Sequence, residues 1–286
     1  MIYLALSILS STGIFVLFKL FNNYKIDTLQ AIVINYITAC ICGLIHNDKP
    51  LIASEILSSN WFIGIIILGF LFIAIFNVMA LTAQKNGLSV ASVASKMSVI
   101  IPVVFGIYVY NESIGLQKTI GILLALVAVY LTSVKEKENN VLTQSLYLPI
   151  LLFFGSGIID TSINYFAPDD RIPLFSGLIF GWAFILGAFI LIYKHVRFNK
   201  KFKIRSIFPG ITLGLVNYAS IYFLLKALRI DSLESSTLFT VNNVAIVAFS
   251  TLIGLLIFKE RISNKNWFGI LLALISIALV TITEWN

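Results

Sequence analysis

Ten apolar runs separated by short polar breaks make up the chain: residues 2–21, 28–46, 61–84, 88–110, 115–134, 145–166, 172–193, 206–228, 233–258 and 266–284. A helix rises about 1.5 Å per residue, so about 20 apolar residues cross the roughly 30 Å of bilayer hydrocarbon. The pattern therefore predicts an all-α polytopic membrane protein with ten transmembrane helices. The breaks are too short to hold a soluble domain. Trp61, Trp267 and Trp285 fall at run ends, where an aromatic belt meets the headgroups. The first run has no basic residue ahead of it and continues to Lys19, so it reads as a retained span rather than a cleaved signal.

The runs fall into two related sets of five. Residues 110–126 read YNESIGLQKTIGILLAL and residues 258–274 read FKERISNKNWFGILLAL, 148 positions apart. Glu112 falls on Glu260, and Gly121 to Leu126 recur unchanged as Gly269 to Leu274. Earlier in the chain the offset is 144: Tyr3-Leu4 pairs with Tyr147-Leu148, Gly13-Ile14 with Gly157-Ile158, and Leu81, Ala83 and Lys85 with Leu225, Ala227 and Arg229. The halves are residues 1–134 and 145–286, joined by a polar linker at 135–144. Five is odd, so the second half must sit upside down relative to the first. Two inverted five-helix repeats are the arrangement of many alternating-access carriers, with a site near the midplane.

Composition agrees with the bilayer as solvent. The chain is 59% hydrophobic and 12% charged, with a mean hydropathy of +0.97, against about 25% charged for a soluble domain. The net charge is +7, but the basic residues sit in the breaks between runs, which excludes a nucleic-acid reading in favour of membrane orientation. Fourteen Lys and Arg lie in or at the edges of the breaks after runs 1, 3, 5, 7 and 9, and five lie on the other side. The positive-inside rule puts the fourteen in the cytoplasm and both termini outside. Six of them belong to the single break 194–205. Cys40 and Cys42 suit packing within one helix, and no His/Cys cluster has metal-ligand spacing. No metal or other cofactor is expected.

Of 33 charged residues, only Lys96 and Asp160 lie well inside a run. Lys96 sits about 12 Å deep by helical rise, where a Lys costs at least about 2.5–3.5 kcal/mol and its stem is too short to reach water. Two uses satisfy it: donation to carbonyls or Asn side chains at a helix crossing, or a place on a wet cavity. Ser89, Ser92, Ser95 and Ser98 make that span small and polar on part of its circumference, as close helix packing favours. Asp160, with Ser156 and Asn164 one turn to either side, is a candidate proton carrier or a polar residue near the far interface. Its expected depth is some 10 Å beyond Lys96, too far for a direct ion pair between upright helices. Asn35, Asn77, Asn217, Asn242 and Asn243 fall near the same level, either as interhelical hydrogen-bond partners or, with Lys96, as lining of a polar cavity. Glu112 and Glu260 precede helix starts, where a carboxylate caps free N–H groups, and read as structural. Pro102 bends its span and frees a carbonyl.

Ten spans in two five-span halves, each closing on a turn Glu and a Gly-bearing apolar helix, resemble the EamA-type branch of the drug/metabolite transporter superfamily. The residues that carry the likeness are Pro102, Glu112, Gln117 and Gly121 in the first half, and Glu260 and Gly269 in the second. The resemblance implies a carrier of amino acids, other metabolites or drugs. It also implies a central cavity, which would take in Asn77, Lys96, Asn217 and Asn242 or Asn243. Many relatives keep both termini in the cytoplasm, the reverse of the charge count here.

The sequence thus points to a secondary transporter of a small polar metabolite such as an amino acid. In it Lys96 attracts an anionic group, the asparagines orient the solute and Asp160 is the candidate for proton coupling. The lipid bilayer is the other partner, and oligomeric state is open. A non-transporting receptor or scaffold on the same fold is the alternative. A membrane protease would need a His base or paired aspartates within the span cores, and these cores hold no His and one Asp.

Overall fold

The computed structural model describes residues 2–48, 50, 52–85, 94–96, 98–109, 115–133, 147–229, 235–258 and 264–282. Glu112, Glu260, Ser89, Ser92, Trp285 and the 135–144 linker lie outside the described residues. The described elements are helical throughout: α1 (Ile2–Asn23), α2 (Thr28–Ile45), α3 (Ala53–Leu57), α4 (Phe62–Lys85), α5 (Ile100–Val109), α6 (Leu116–Ser133), α7 (Tyr147–Phe166), α8 (Ile172–Phe198), a 3-10 turn (Ile204–Ser206), α9 (Ile207–Leu228), α10 (Ser235–Leu256) and α11 (Asn264–Ile282). Five stretches are long and apolar enough to cross a bilayer: Ile2–Phe21, Thr28–Ile45, Phe62–Thr82, Ile172–Phe198 and Ile204–Leu228. Shorter apolar helices cover Thr119–Ala128, Ile150–Phe166, Thr237–Ser250 and Trp267–Ser276. Large apolar side chains such as Phe70, Phe154, Phe189 and Leu215 are exposed, as lipid contact requires.

Two boundaries differ from expectation. The short helix α3 occupies the break before α4, and α8 continues to Phe198 instead of stopping near 193. The extension of α8 ends on Asn199, in the left-handed conformation at φ 51°, which closes a helix at low cost for an asparagine. The basic stretch that follows is tied down. Gln30, buried at the start of α2, donates to the Lys201 carbonyl at 3.1 Å and accepts from the Lys203 N–H at 2.8 Å.

The chain forms two compact units. The first comprises residues 1–77 and 162–229 and the second residues 78–161 and 230–286, so each draws on both halves of the sequence. In the first unit α2 is the centre, packed on α8 and α9, with α1 against α9. Glycines set these distances. A Cβ at Gly43 would stand 2.5 Å from Gly177 Cα and 2.6 Å from the Pro173 carbonyl oxygen, so α2 and α8 meet backbone to backbone. At the other end of the same crossing, Gly187 faces Val33. Contacts that rise along α2 as they fall along α8 mean that the two helices run antiparallel. Ile34 faces Gly210 and Thr38 faces Gly214, so α2 and α9 run parallel. Tyr36, Phe72, Phe76 and Phe180 fill the space between α2, α4 and α8, with ring centroids 5.5–6.0 Å apart. The fully buried Tyr36 hydroxyl donates to the Phe72 carbonyl at 2.9 Å.

In the second unit the two helices that carry the GILLAL repeat, α6 and α11, pack along each other. The buried Ser276 hydroxyl donates to the Gly121 carbonyl at 2.8 Å, and Gln117 Nε2 to the Leu279 carbonyl at 3.3 Å. The partners run in opposite order, so this pair is antiparallel. Helix α10 packs on α5, α6 and α11, with Val244 against the buried Ala128.

Candidate functional site

The span that carries Lys96 is not a continuous α-helix in its described part. Residues 94–96 are helical, Ser98 and Val99 form a turn, and α5 starts at Ile100. Val99 N–H donates to the Lys96 carbonyl at 3.2 Å and Ile101 N–H to the Ser98 carbonyl at 2.9 Å, both three residues back rather than four. Pro102 is the sequence cause. It has no N–H, so the Ser98 carbonyl loses its ordinary α-helical donor. The sequence led us to expect that carbonyl to be free; instead the tightened turn gives it to Ile101.

Lys96 stands at this break. Its Nζ donates to Asn243 Oδ1 on α10 at 3.1 Å, and both Asn242 and Asn243 are buried. Ser95, the preceding residue, shares a hydrogen bond of 3.2 Å with Ser156 of α7. Close packing one residue further along α7 holds this contact: Gly157 meets Ile101, and a Cβ there would collide with the Ile101 side chain. Asp160 follows Ser156 by one turn, or about 6 Å of rise, which narrows the separation of about 10 Å expected from the sequence. Lys96 and Asp160 lie within range of each other's charge. In the second unit, therefore, Lys96, Asn243 and Asp160 gather beside a broken helix.

The other asparagines are placed differently. Asn217 Nδ2 donates to Asn35 Oδ1 at 3.0 Å, and Asn35 Nδ2 to the Ile32 carbonyl at 3.3 Å, in the core of the first unit. These two amides join α2 to α9. Asn77 Nδ2 turns back onto its own helix, to the Ile73 carbonyl at 2.6 Å. The single layer of five asparagines thus resolves into a pair in the first unit, Asn243 bound to Lys96 in the second, and Asn77 capping its own turn. Asn242 is buried on α10 beside Asn243.

One polar cluster was not anticipated from the sequence. His46, at the end of α2, has Nδ1 3.1 Å from the Tyr218 hydroxyl, and its ring lies 4.6 Å from that of Tyr222. Tyr218 and Tyr222 stack at 5.8 Å, with Lys226 Nζ 5.8 Å from the Tyr222 ring centre. The signal was the spacing of 218, 222 and 226, which puts three residues on one helical face.

Comparison with known proteins agrees with this architecture. The profile of the EamA-like transporter family matches residues 1–134. An uncharacterized protein of Haemophilus influenzae is 28% identical over 96% of this chain and 95% of its own length. The probable glucose uptake proteins GlcU of Bacillus cereus and Bacillus anthracis are each 26% identical over 65% of this chain, which spans 65% of their length. A protein crystal structure aligns with a TM-score of 0.70 over 98% of this chain and 97% of that one, at 13% identity, which is a likeness of fold. The matched residues, the long apolar helices and the transporter-named relatives agree: this is a multi-pass membrane protein whose residues 1–134 are similar to the EamA-like transporter family.

Proposed function

We propose that the chain is a secondary transporter of a small polar organic solute, working by alternating access between two inverted five-helix repeats. The observation that carries this reading is the Lys96–Asn243 hydrogen bond, part-buried, beside the turn at Ser98 and Val99. Irregular backbone at membrane depth is tolerated where it lines a cavity or is buried in protein, and transporters build their sites from such interrupted helices. Ionisable residues within a bilayer are expensive and are kept for ion or substrate pathways.

Inverted repeats draw support from the packing of the first unit. Val33 and Gly177 are 144 positions apart, as are Gly43 and Gly187, the same offset that aligns the early part of the two halves. Exchanging the halves therefore turns the Gly43–Gly177 contact into the Gly187–Val33 contact. Equivalent helices that cross symmetrically and antiparallel, as α2 and α8 do, are what inversion produces. The charge count favours termini outside and basic loops in the cytoplasm.

Lys96 would attract an anionic group, Asn243 would orient it, and Asp160 would couple a proton. An amino acid or related organic acid fits this set. The relatives named as probable glucose uptake proteins put a neutral sugar beside it as the competing substrate. The test is uptake into proteoliposomes by wild type and Lys96→Ala, with amino acids, organic acids and glucose. Lys96→Ala should lower uptake of the true substrate about tenfold or more; equal uptake by both proteins would remove Lys96 from the site.

A further inference from the structure

Asn243 is 2% exposed, and the bond from Lys96 fixes which way its amide points, because an ammonium can only donate. Its oxygen faces Lys96, and its Nδ2 is buried with no hydrogen-bond partner. Buried amide donors are almost always paired, so one left open beside the half-buried Lys96 ammonium marks a place for an acceptor. The Ser95–Ser156 bond and the Gly157–Ile101 contact hold α7 against the segment that carries Lys96, and Asp160 follows Ser156 by about one turn. The charges facing it are few. Helices α5 and α10 contain no charged residue, α7 has only Asp160, and α6 and α11 carry one Lys each, near their first residues. Among the described residues the site therefore balances one cation, Lys96, against one carboxylate, Asp160.

We propose that this site takes its solute by a carboxylate group, and that it holds one negative charge at a time, so that Asp160 takes up a proton as the solute's carboxylate enters. The inference rests on the carrier reading above and names its substrate class and coupling. One carboxylate oxygen accepts from Asn243 Nδ2 and lies against the Lys96 ammonium. Asp160, displaced as the counter-charge, gains one O–H bond from a solution proton. The net charge of the site is zero before and after, whereas two carboxylates facing one Lys would leave an uncompensated charge in the membrane interior. A neutral sugar brings no charge and moves no proton.

The full-length protein in detergent would be titrated calorimetrically with lactate, L-alanine and glucose, in two buffers of different ionisation enthalpy at each of several pH values. The expected result is carboxylate binding with uptake of about one proton, and an affinity that falls about tenfold per pH unit on the alkaline side. Asp160→Asn should abolish proton uptake, flatten the pH profile and tighten carboxylate binding at pH 8. Lys96→Gln and Asn243→Leu should each weaken carboxylate binding about tenfold or more. Lys96-dependent carboxylate binding without proton uptake, or with uptake that persists in Asp160→Asn, overturns the inference and leaves the carrier reading standing. Glucose binding that is indifferent to Lys96, with neither carboxylate bound, overturns the inference and removes Lys96 from the carrier's site. The wild-type measurement of proton uptake decides the matter even where a variant fails to fold.

Discussion

Asn35 and Asn217 have a simple structural use. Each is buried, and the bond between them joins α2 to α9 where no water can replace it. Interhelical hydrogen bonds in membrane proteins contribute about 0.6 kcal/mol on average and up to about 1.7 kcal/mol. Asn217→Leu should therefore lower stability by about 1 kcal/mol, read as a drop in thermal midpoint in detergent, while leaving the fold intact. An unchanged midpoint would show that the pair is idle. This residue-level detail was only half legible in the sequence. The apolar runs around Lys96, Asp160 and the asparagines announced that these side chains needed partners. They did not say which partner, because Lys96 meets a residue 147 positions away and Asn35 one 182 away. Helical spacing says nothing about contacts between helices.

At the scale of elements, the crossing of α2 and α8 has no room for a side chain. Gly43→Ala would press a methyl group against the Gly177 backbone and the Pro173 carbonyl, neither of which can rotate away. The cost should reach about 1–3 kcal/mol, seen as reduced thermal stability and a lower yield of folded protein. Gly115→Ala is the matched contrast, with nothing within 4 Å of the added Cβ, and should be neutral in the same assay. A Gly43→Ala protein as stable as wild type would mean that the two helices can part there without loss. Helix existence was readable from hydrophobic periodicity and length, and α1, α2, α4, α8 and α9 fall where the apolar runs placed them. The break after Lys96 was readable only in part. Pro102 signalled a missing donor, but the choice between an open carbonyl and a tightened turn depended on Ile101, whose N–H is available to any helix.

For the whole molecule, orientation rests on where the basic residues lie. Six of the fourteen on the richer side belong to one loop, and Gln30 holds part of that loop, at Lys201 and Lys203, against the end of the bundle. Charges fixed next to a helix end are the ones the positive-inside rule counts. A reporter fused after Asn286 should accordingly be exposed outside the cell, by activity or by labelling; a cytoplasmic reporter would reverse the assignment. The repeat itself was plain in the sequence, since GILLAL occurs twice, but nothing in a linear string says what its copies touch.

They touch each other. Along α6 and α11 a sequence meets its own duplicate in antiparallel order, with Ser276 on Gly121 and Gln117 on Leu279. A surface that recognises its own copy is the kind that two separate, identical chains use to form a closed symmetric dimer. Joining the two copies in one polypeptide frees each to vary alone. Lys96 illustrates that freedom: a 144-residue shift places it on Thr240 and a 148-residue shift on Val244, so neither register gives it a charged counterpart. A single cation could thus arise once per molecule, where a symmetric dimer would have been obliged to bury two.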